Sequence, residues 1–158
     1  MSTPPLPERV LGYLSGHTTL NLATHGPSGL WAAAVLYVNR GLDLYFTSVV
    51  TTRHGQNLLE TRRAAGTIND DCTSWRAAKG IQLEGRVDLV SDVDERHRVV
   101  SDYLARFPFA TALWHGVADA AVIARDPGIH AFFRLTPARL HFMDNEHHPQ
   151  GREELAMA

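Results

Sequence analysis

The stretch KGIQLEGRVDLV, residues Lys79–Val90, has the most regular alternation in the chain. Apolar side chains occupy positions 81, 83, 87 and 89, and polar or charged side chains occupy positions 82, 84, 86 and 88. A strand with one apolar and one polar face buries one side and leaves the other in water. That arrangement is typical of antiparallel sheets, because parallel sheets are covered by helices on both faces. The stretch therefore favours an antiparallel fold.

Extended segments occur on both sides of this strand. Strands are predicted at 18–24, 30–38, 42–48, 64–69 and 79–90, and 130–144 is predicted as two short strands broken at Thr136-Pro137. Residues 39–41 form a predicted hairpin turn, since Gly41 can adopt positive φ. Segment 30–38 is apolar on both faces, which predicts a central position in the sheet.

Helices are predicted over 7–15 and 52–60, and a third follows Asp92. Asp92 can cap that helix, with Glu95 three residues further on. The predicted strands are joined mostly by hairpin turns rather than by helices. This organisation predicts a mainly β fold, a six-stranded antiparallel barrel with peripheral helices.

Length and composition fit a single domain over residues 1–158, with an N-terminal arm and helix at 1–16 and a C-terminal tail at 146–158. A net charge of −2 gives no general attraction to nucleic acids or acidic membranes. The apolar runs are too short to cross a bilayer as a helix. The first residues contain no basic segment followed by an apolar one, so we expect a cytoplasmic location.

The common motifs of catalysis and metal binding are missing. The chain has no G-x-G-x-x-G, no P-loop motif, no G-x-S-x-G elbow and no H-E-x-x-H. A single cysteine, Cys72, excludes an internal disulfide and a multi-cysteine zinc site. His147 and His148 are adjacent, and adjacent side chains of an extended tail point in opposite directions. We therefore predict no metal site and assign no catalytic residue.

Hydroxyl and basic side chains are concentrated where strand 42–48 passes into helix 52–60. They are Thr47, Ser48, Thr51, Thr52, Arg53 and His54. A helix N-terminus has unpaired N–H groups and partial positive charge, which suit a phosphate. Thr51 or Thr52 can cap the helix, and Arg53 can bind two phosphate oxygens. A capped helix with solvated basic residues fits the same pattern, and the residues alone leave both interpretations open.

The order of these elements carries a resemblance. Residues 20–70 contain, in this order, a strand, a turn with glycine, a second strand, a hairpin, YFTS, a basic pair before NL and a further strand. The stretch KGIQLEGRVDLV follows later. With ARFPFA and FFRLTPARLHFMDN, this pattern resembles the FMN-binding split-barrel superfamily related to pyridoxamine 5′-phosphate oxidase, in particular its small bacterial members. The resemblance covers most of residues 17–145.

The resemblance implies a split barrel that forms a homodimer with two FMN sites at the subunit interface. The flavin ring would lie against Trp31, Ala32, Ala33 and Ala34. The cofactor's polar edge and phosphate would be bound by Thr47, Ser48, Thr52, Arg53 and His54. Gln82 would approach the ring from the side. His54 stands where the family often has lysine, which implies a weaker or pH-dependent grip on the phosphate.

One departure from the pattern concerns the reaction. Pyridoxamine-phosphate oxidase itself has an R-x-H pair in a C-terminal strand that binds the substrate phosphate. Arg139 and His141 have this spacing, but they follow RLTP directly, within what resembles the preceding strand. We therefore do not expect that specific reaction.

Four functions remain open. The first is an FMN-dependent oxidoreductase acting on an unknown small molecule, in which the flavin does the redox chemistry. The others are a non-catalytic or sensing protein that binds flavin or haem, a reductase that uses the deazaflavin F420, and a barrel without a ligand. FMN is expected rather than FAD, since no glycine-rich loop is available for a pyrophosphate.

Overall fold

The computed structural model describes residues 2–158, and over this range the chain forms seven strands, four α-helices and one 3₁₀ helix. In chain order they are α1 (Leu6–Gly16), β1 (Thr19–Gly26), β2 (Gly29–Arg40), β3 (Asp43–Val49), α2 (Arg53–Thr61), β4 (Arg63–Asn69), β5 (Lys79–Leu89), α3 (Val93–Arg106), the 3₁₀ helix (Pro108–Trp114), α4 (Ala120–Arg125), β6 (His130–Asp144) and β7 (Arg152–Leu155). Among these residues, no helix is both long and apolar enough to cross a membrane.

The strands form one sheet in the order β3-β2-β1-β4-β5-β6-β7, and β3 also pairs with β6. This additional pairing closes the first six strands into a barrel, and β7 is added to β6 outside it. The strand pairings are antiparallel throughout. The prediction of a six-stranded antiparallel barrel with peripheral helices is confirmed.

The alternation in β5 separates the barrel interior from its surface. Ile81, Leu83 and Val87 are buried in the barrel core, while Gln82 and Glu84 are exposed on the outer face. A second apolar cluster lies outside the barrel, where α3, the 3₁₀ helix and α4 cover parts of β2, β3 and β6. These three helices therefore cover one side of the barrel wall, whereas α1 and α2 pack against the barrel core.

Strand β2 lies between β3 and β1, as its apolar character predicts. Its second half is buried on both faces, because Tyr37 packs in the barrel core and Val38 packs under the helices. Its first half is not covered: Leu30 is 84% exposed and Trp31 is 43% exposed. The pairing with β3 starts only at Tyr37, so residues 29–36 have no strand partner on the β3 side among residues 2–158.

The prediction of two short strands broken at Thr136-Pro137 is wrong, since β6 is continuous from His130 to Asp144. The proline lies at a bulge, where Gly85 pairs with Pro137 and the preceding Glu84 pairs with Arg139. A bulge accommodates a residue without an N–H donor. At this bulge β6 leaves its partner β3 and continues beside β7.

The segment predicted as a C-terminal tail contains β7, which pairs with β6 over Leu140–Met143. The guanidinium of Arg9 in α1 forms two ion pairs here. It lies 3.1 Å from the carboxylate of Asp144, at the end of β6, and 2.6 Å from the carboxylate of Glu153, in β7. The N-terminal helix and the C-terminal strand are thereby held together. No helix is predicted in the alanine-rich segment between α3 and β6, which contains the 3₁₀ helix and α4.

Candidate functional site

The transition from β3 to α2 is built by one threonine and one glycine. Thr52 is the cap of α2: its Oγ1 accepts a hydrogen bond from the Gly55 N–H at 3.1 Å and donates one to the Val49 carbonyl at 2.7 Å. A Cβ on Gly55 would lie 2.7 Å from the Val49 carbonyl oxygen. Glycine therefore lets the helix begin in close contact with the end of the strand.

The first turn of α2 has backbone N–H groups that lack a partner within the helix. The N–H of Gly55 is occupied by the cap, whereas the N–H groups of Arg53 and His54 precede the first intrahelical acceptor. Such groups, with the partial positive charge of the helix end, favour an anion. The first turn of α2 therefore has the kind of donors and partial charge that a phosphate would require.

His54 is held beside Ser48 at this junction. Its Nε2 makes a hydrogen bond with the Ser48 hydroxyl and lies 3.3 Å from Thr52 Oγ1. Burial lowers the pKa of His54, so its imidazole is neutral at pH 7. At this position the ring can supply a hydrogen bond but little charge, and a bound phosphate would depend on Arg53 for a full positive charge.

Arg53 connects the start of α2 to the β1–β2 turn. Its Nη2 donates to the carbonyls of Ser28 at 2.7 Å and Leu30 at 3.3 Å. Its guanidinium lies over the Trp31 ring, 4.6 Å from the centroid. A guanidinium has five N–H donors, so these contacts leave others for a ligand. Arg53 is thus more than a solvated side chain at a helix start.

The four residues predicted to line a flavin ring follow one another on β2 beside this arginine. Trp31 and Ala33 point to one side of the sheet, and Ala32 and Ala34 point to the other, as alternation along a strand requires. A flat group lying along the unpaired edge of β2 would meet the backbone of all four residues. The methyl side chains of the alanines permit that close approach.

Two of the predicted residues are placed differently from the others. The Thr47 hydroxyl donates to the Ala131 carbonyl at 2.9 Å, so its hydrogen is already bonded to the neighbouring strand β6. Gln82 lies on the outer face, in a row that runs from Ala34 through β1 and β4. Three strand spacings separate it from β2, which is about 14 Å. Its side chain accepts a hydrogen bond from Arg152 at 2.7 Å.

Within one chain, the structure therefore brings together Ser48, Thr52, Arg53, His54 and Trp31, with the alanines next to them. It does not bring Gln82 into this group.

A buried hydrogen bond that was not predicted holds α2 against β1. Asn57 donates from Nδ2 to the Thr24 hydroxyl at 3.1 Å, and both residues are buried. A Cβ on Gly26 would lie 2.1 Å from Asn57 Oδ1, so glycine makes room for this amide. An asparagine on the apolar side of a short helix is the signal in the sequence that could have indicated it.

A carboxylate and histidine cluster occurs near the C-terminus. Asp144, Glu146 and His147 have ligand atoms within 4.8 Å of one another. Cations already neutralise this cluster: Arg9 lies 3.1 Å and Lys79 lies 3.7 Å from the Asp144 carboxylate. The cluster is therefore an ion-pair network. Arg139 and His141 lie elsewhere on β6, opposite Glu84 and Gln82 of β5.

Comparison with known proteins agrees with this architecture. The family model described as pyridoxamine 5′-phosphate oxidase matches residues 6–144, from α1 to the end of β6. The chain belongs to this family. A curated relative, a UPF0306 protein of Haemophilus ducreyi, is 29% identical over 109 residues, which cover 66% of this chain and 74% of the relative.

Solved structures share the fold at low sequence identity. A conserved hypothetical protein from Mycobacterium tuberculosis has a TM-score of 0.73 and 17% identity, covering 100% of this chain and 94% of that chain. A haem binding protein from Mycobacterium smegmatis has a TM-score of 0.78 and 18% identity, covering 99% and 60%. An FAD-binding protein from Mesorhizobium loti has a TM-score of 0.64 and 16% identity, covering 94% and 93%.

Proposed function

We propose that this protein binds FMN at the β3–α2 junction and along the open edge of β2, and uses it as an oxidoreductase acting on a small molecule. The observation that carries the proposal is the juxtaposition of a capped helix N-terminus and Arg53 with a strand edge lined by three alanines. The helix end suits a phosphate, and the edge suits a flat ring.

The residues present fit a flavin with one terminal phosphate. The N–H groups of Arg53 and His54, the hydroxyl of Ser48 and the guanidinium of Arg53 are donors of the kind that a phosphate accepts. Ala32, Ala33 and Ala34 would allow the ring to contact the strand. When bound, the flavin would supply the redox chemistry, so the chain needs no acid, base or nucleophile of its own.

Solved neighbours that are described as FAD-binding and haem-binding proteins support flavin and haem as the two ligand classes for this chain. FMN is favoured over FAD because one helix N-terminus with one arginine matches a single phosphate group. Haem is the second candidate, supported by the likeness to the Mycobacterium smegmatis haem binding protein. F420 remains a further alternative to FMN at the same site.

The proposal includes a homodimer. Leu30 is 84% exposed, and a shallow cavity of about 320 Å³ lies beside it, lined by small and polar residues such as Ala23, His25 and Ala65. A second copy packed on this outer face would cover Leu30 and give the open edge of β2 a second wall. Sedimentation at micromolar concentration should then give about twice 17.5 kDa. A monomer that still binds FMN would contradict the interface site.

The absorption spectrum of the purified protein tests the ligand. FMN gives two visible bands, haem gives a Soret band and F420 gives a single band at the violet edge. If the protein is purified without a ligand, titration with FMN and FAD replaces the spectrum, and tighter binding of FAD would contradict the phosphate assignment. Reduction of bound flavin by NADH or NADPH would then support an oxidoreductase over a passive binder.

A further inference from the structure

The helix α2 contacts the β1–β2 hairpin at two points on one helix face. Arg53 and Asn57 are four residues apart, so their side chains lie on the same face of α2. Arg53 donates to the carbonyls of Ser28 and Leu30 at the turn, whereas Asn57 Nδ2 donates to the Thr24 hydroxyl in β1 at 3.1 Å. The start of the helix is therefore attached to the turn, and its second turn is attached to the strand that leads there.

The contact with β1 is buried and closely packed. Asn57 is 4% exposed and Thr24 is 3% exposed. A Cβ on Gly26 would lie 2.9 Å from the Asn57 Cγ and closer still to its Oδ1, so the amide lies directly against the backbone of the hairpin. Among residues 2–158, the Thr24 hydroxyl is the one hydrogen-bond partner of the Asn57 amide. An amide confined in this way holds the helix at a defined position on β1.

Neither residue lies where it could bind a phosphate at the helix start. Asn57 follows Arg53 by about one helical turn, roughly 6 Å along the axis. Its amide is directed to Thr24, a buried position of β1, rather than to the N–H groups of the first turn. A satisfied polar pair in a core selects one packing arrangement, which an apolar pair of similar volume does not do. The pair therefore acts on the position of the helix.

The position of α2 matters because the helix and the hairpin contribute different parts of the proposed flavin site. The N–H groups of Arg53 and His54 belong to the helix, while Trp31 and the alanines belong to β2. Charge-assisted hydrogen bonds weaken steeply when donor and acceptor move out of line. A displaced helix would lose bonds to the phosphate, whereas a flat ring would still contact the edge of β2.

We propose that Asn57 and Thr24 are positioning residues of the flavin site. Their hydrogen bond fixes α2 against the β1–β2 hairpin, and it thereby sets the preference for a flavin with a phosphate over a flavin without one. This inference rests on the proposed function, and it assigns a role in ligand specificity to two residues that do not contact the ligand.

Fluorescence titration of the full chain with FMN and with riboflavin tests this role, and the measured quantity is the ratio of the two affinities. Thr24→Val keeps the shape of the side chain and removes the hydroxyl. It should weaken FMN binding about tenfold and riboflavin binding less than about twofold, so that the ratio falls. Thr24→Ser keeps the hydroxyl and should leave the ratio within about twofold of the wild-type value.

Asn57→Ala removes the other partner and should lower the ratio in the same way, so misfolding of one variant leaves the other as the test. The matched control is Thr61→Val in the last turn of α2, where the threonine hydroxyl donates to the Asn57 carbonyl at 2.9 Å. It removes a hydrogen bond from the same helix without touching the hairpin, and it should leave the ratio unchanged. A general loss of stability would weaken both flavins equally, so the ratio does not respond to it. Circular dichroism checks that the variants are folded.

Failure of this inference and failure of the proposed function give different results. If the wild-type protein prefers FMN, an unchanged ratio in Thr24→Val and Asn57→Ala, or an equal fall in Thr61→Val, overturns the positioning role alone. If the wild-type protein binds neither flavin, or binds riboflavin as tightly as FMN, the proposed phosphate site fails and the positioning role fails with it.

Discussion

The two halves of β2 have similar composition and opposite surroundings. Residues 30–34 read LWAAA and are largely exposed, whereas residues 35–38 read VLYV and lie between two apolar clusters. The difference arises because the second half pairs with β3 and is covered by α3, while the first half extends beyond both. Apolar residues on both faces of a strand thus indicate surface that is stabilised by burial. The chain's own core can bury this surface, and so can a ligand or a second chain.

The largest effect on stability is expected for a substitution in the buried half of β2. Tyr37→Ala removes a side chain that is 0% exposed and whose hydroxyl donates to the Leu14 carbonyl at 2.6 Å. It should lower the free energy of unfolding by about 3–5 kcal/mol, as large-to-small core substitutions do. Leu30→Ala in the exposed half should change the stability of the monomer by less than about 0.5 kcal/mol. Urea denaturation measures both, and equal losses would mean that the two halves are equally buried.

A smaller effect is expected for the affinity of FMN beside the exposed half of β2, where Arg53 lies. Arg53→Ala should weaken FMN binding by about 10- to 150-fold, which corresponds to a charge-assisted hydrogen bond of roughly 1.5–3 kcal/mol. Riboflavin lacks the phosphate, so its affinity should change little.

Titration of both flavins against both proteins separates the outcomes. Arg98→Ala, at an exposed arginine of α3, serves as the control. Equal losses for the two flavins would indicate that Arg53 acts through Trp31 and the β1–β2 turn rather than on the phosphate. No loss for either flavin would support a site elsewhere.

The cap of α2 should matter for stability as well as for the site. Thr52→Ala removes the hydrogen bonds to the Gly55 N–H and the Val49 carbonyl. We expect a loss of about 1 kcal/mol in the free energy of unfolding, typical of a lost N-terminal cap. Thr51→Ala is the matched control, since Thr51 is exposed and the cap is its neighbour. Thermal unfolding of the two variants would contradict the assignment if Thr51→Ala had the larger effect.

The smallest effect is expected for the pH dependence of the free energy of unfolding. Burial lowers the pKa of His54 and of His130 from the ordinary value of 6.5. Below that value the unfolded chain takes up protons that the folded chain does not, so stability should fall as pH decreases through 6.5 and lower. His54→Gln should remove part of this dependence between pH 7.5 and pH 5.5. Denaturation midpoints at the two pH values measure it, and an unchanged dependence would exclude His54 as a contributor.

Features that depend on neighbouring residues could be predicted from the sequence. The alternation of β5, the hairpin at Gly41, with φ of 57°, and the cap at Asp92, which accepts from the Glu95 N–H at 2.7 Å, are all present. The Glu95 carboxylate, however, binds Arg134 at 2.6 Å instead of the start of its own helix. Local propensity indicates where a helix begins, but a distant partner decides where a long side chain points.

The features that could not be predicted depend on contacts between residues that are distant in sequence. Proline in an isolated segment indicates a break, yet β6 is continuous at Pro137 because Gly85 allows a bulge opposite it. Arg53 could be predicted as a basic residue at a helix start, but its contacts with Ser28, Leu30 and Trp31 exist only because the β1–β2 turn meets α2.

The amino-acid sequence by itself indicated the antiparallel strands, a threonine cap on α2 and the polar junction at residues 47–54, because periodicity and capping act over a few residues. Only the tertiary structure decided that Gln82 lies about 14 Å from β2 and that β7 pairs with β6 at the edge of the sheet. These features depend on strand order and register, which residues far apart in the chain set together.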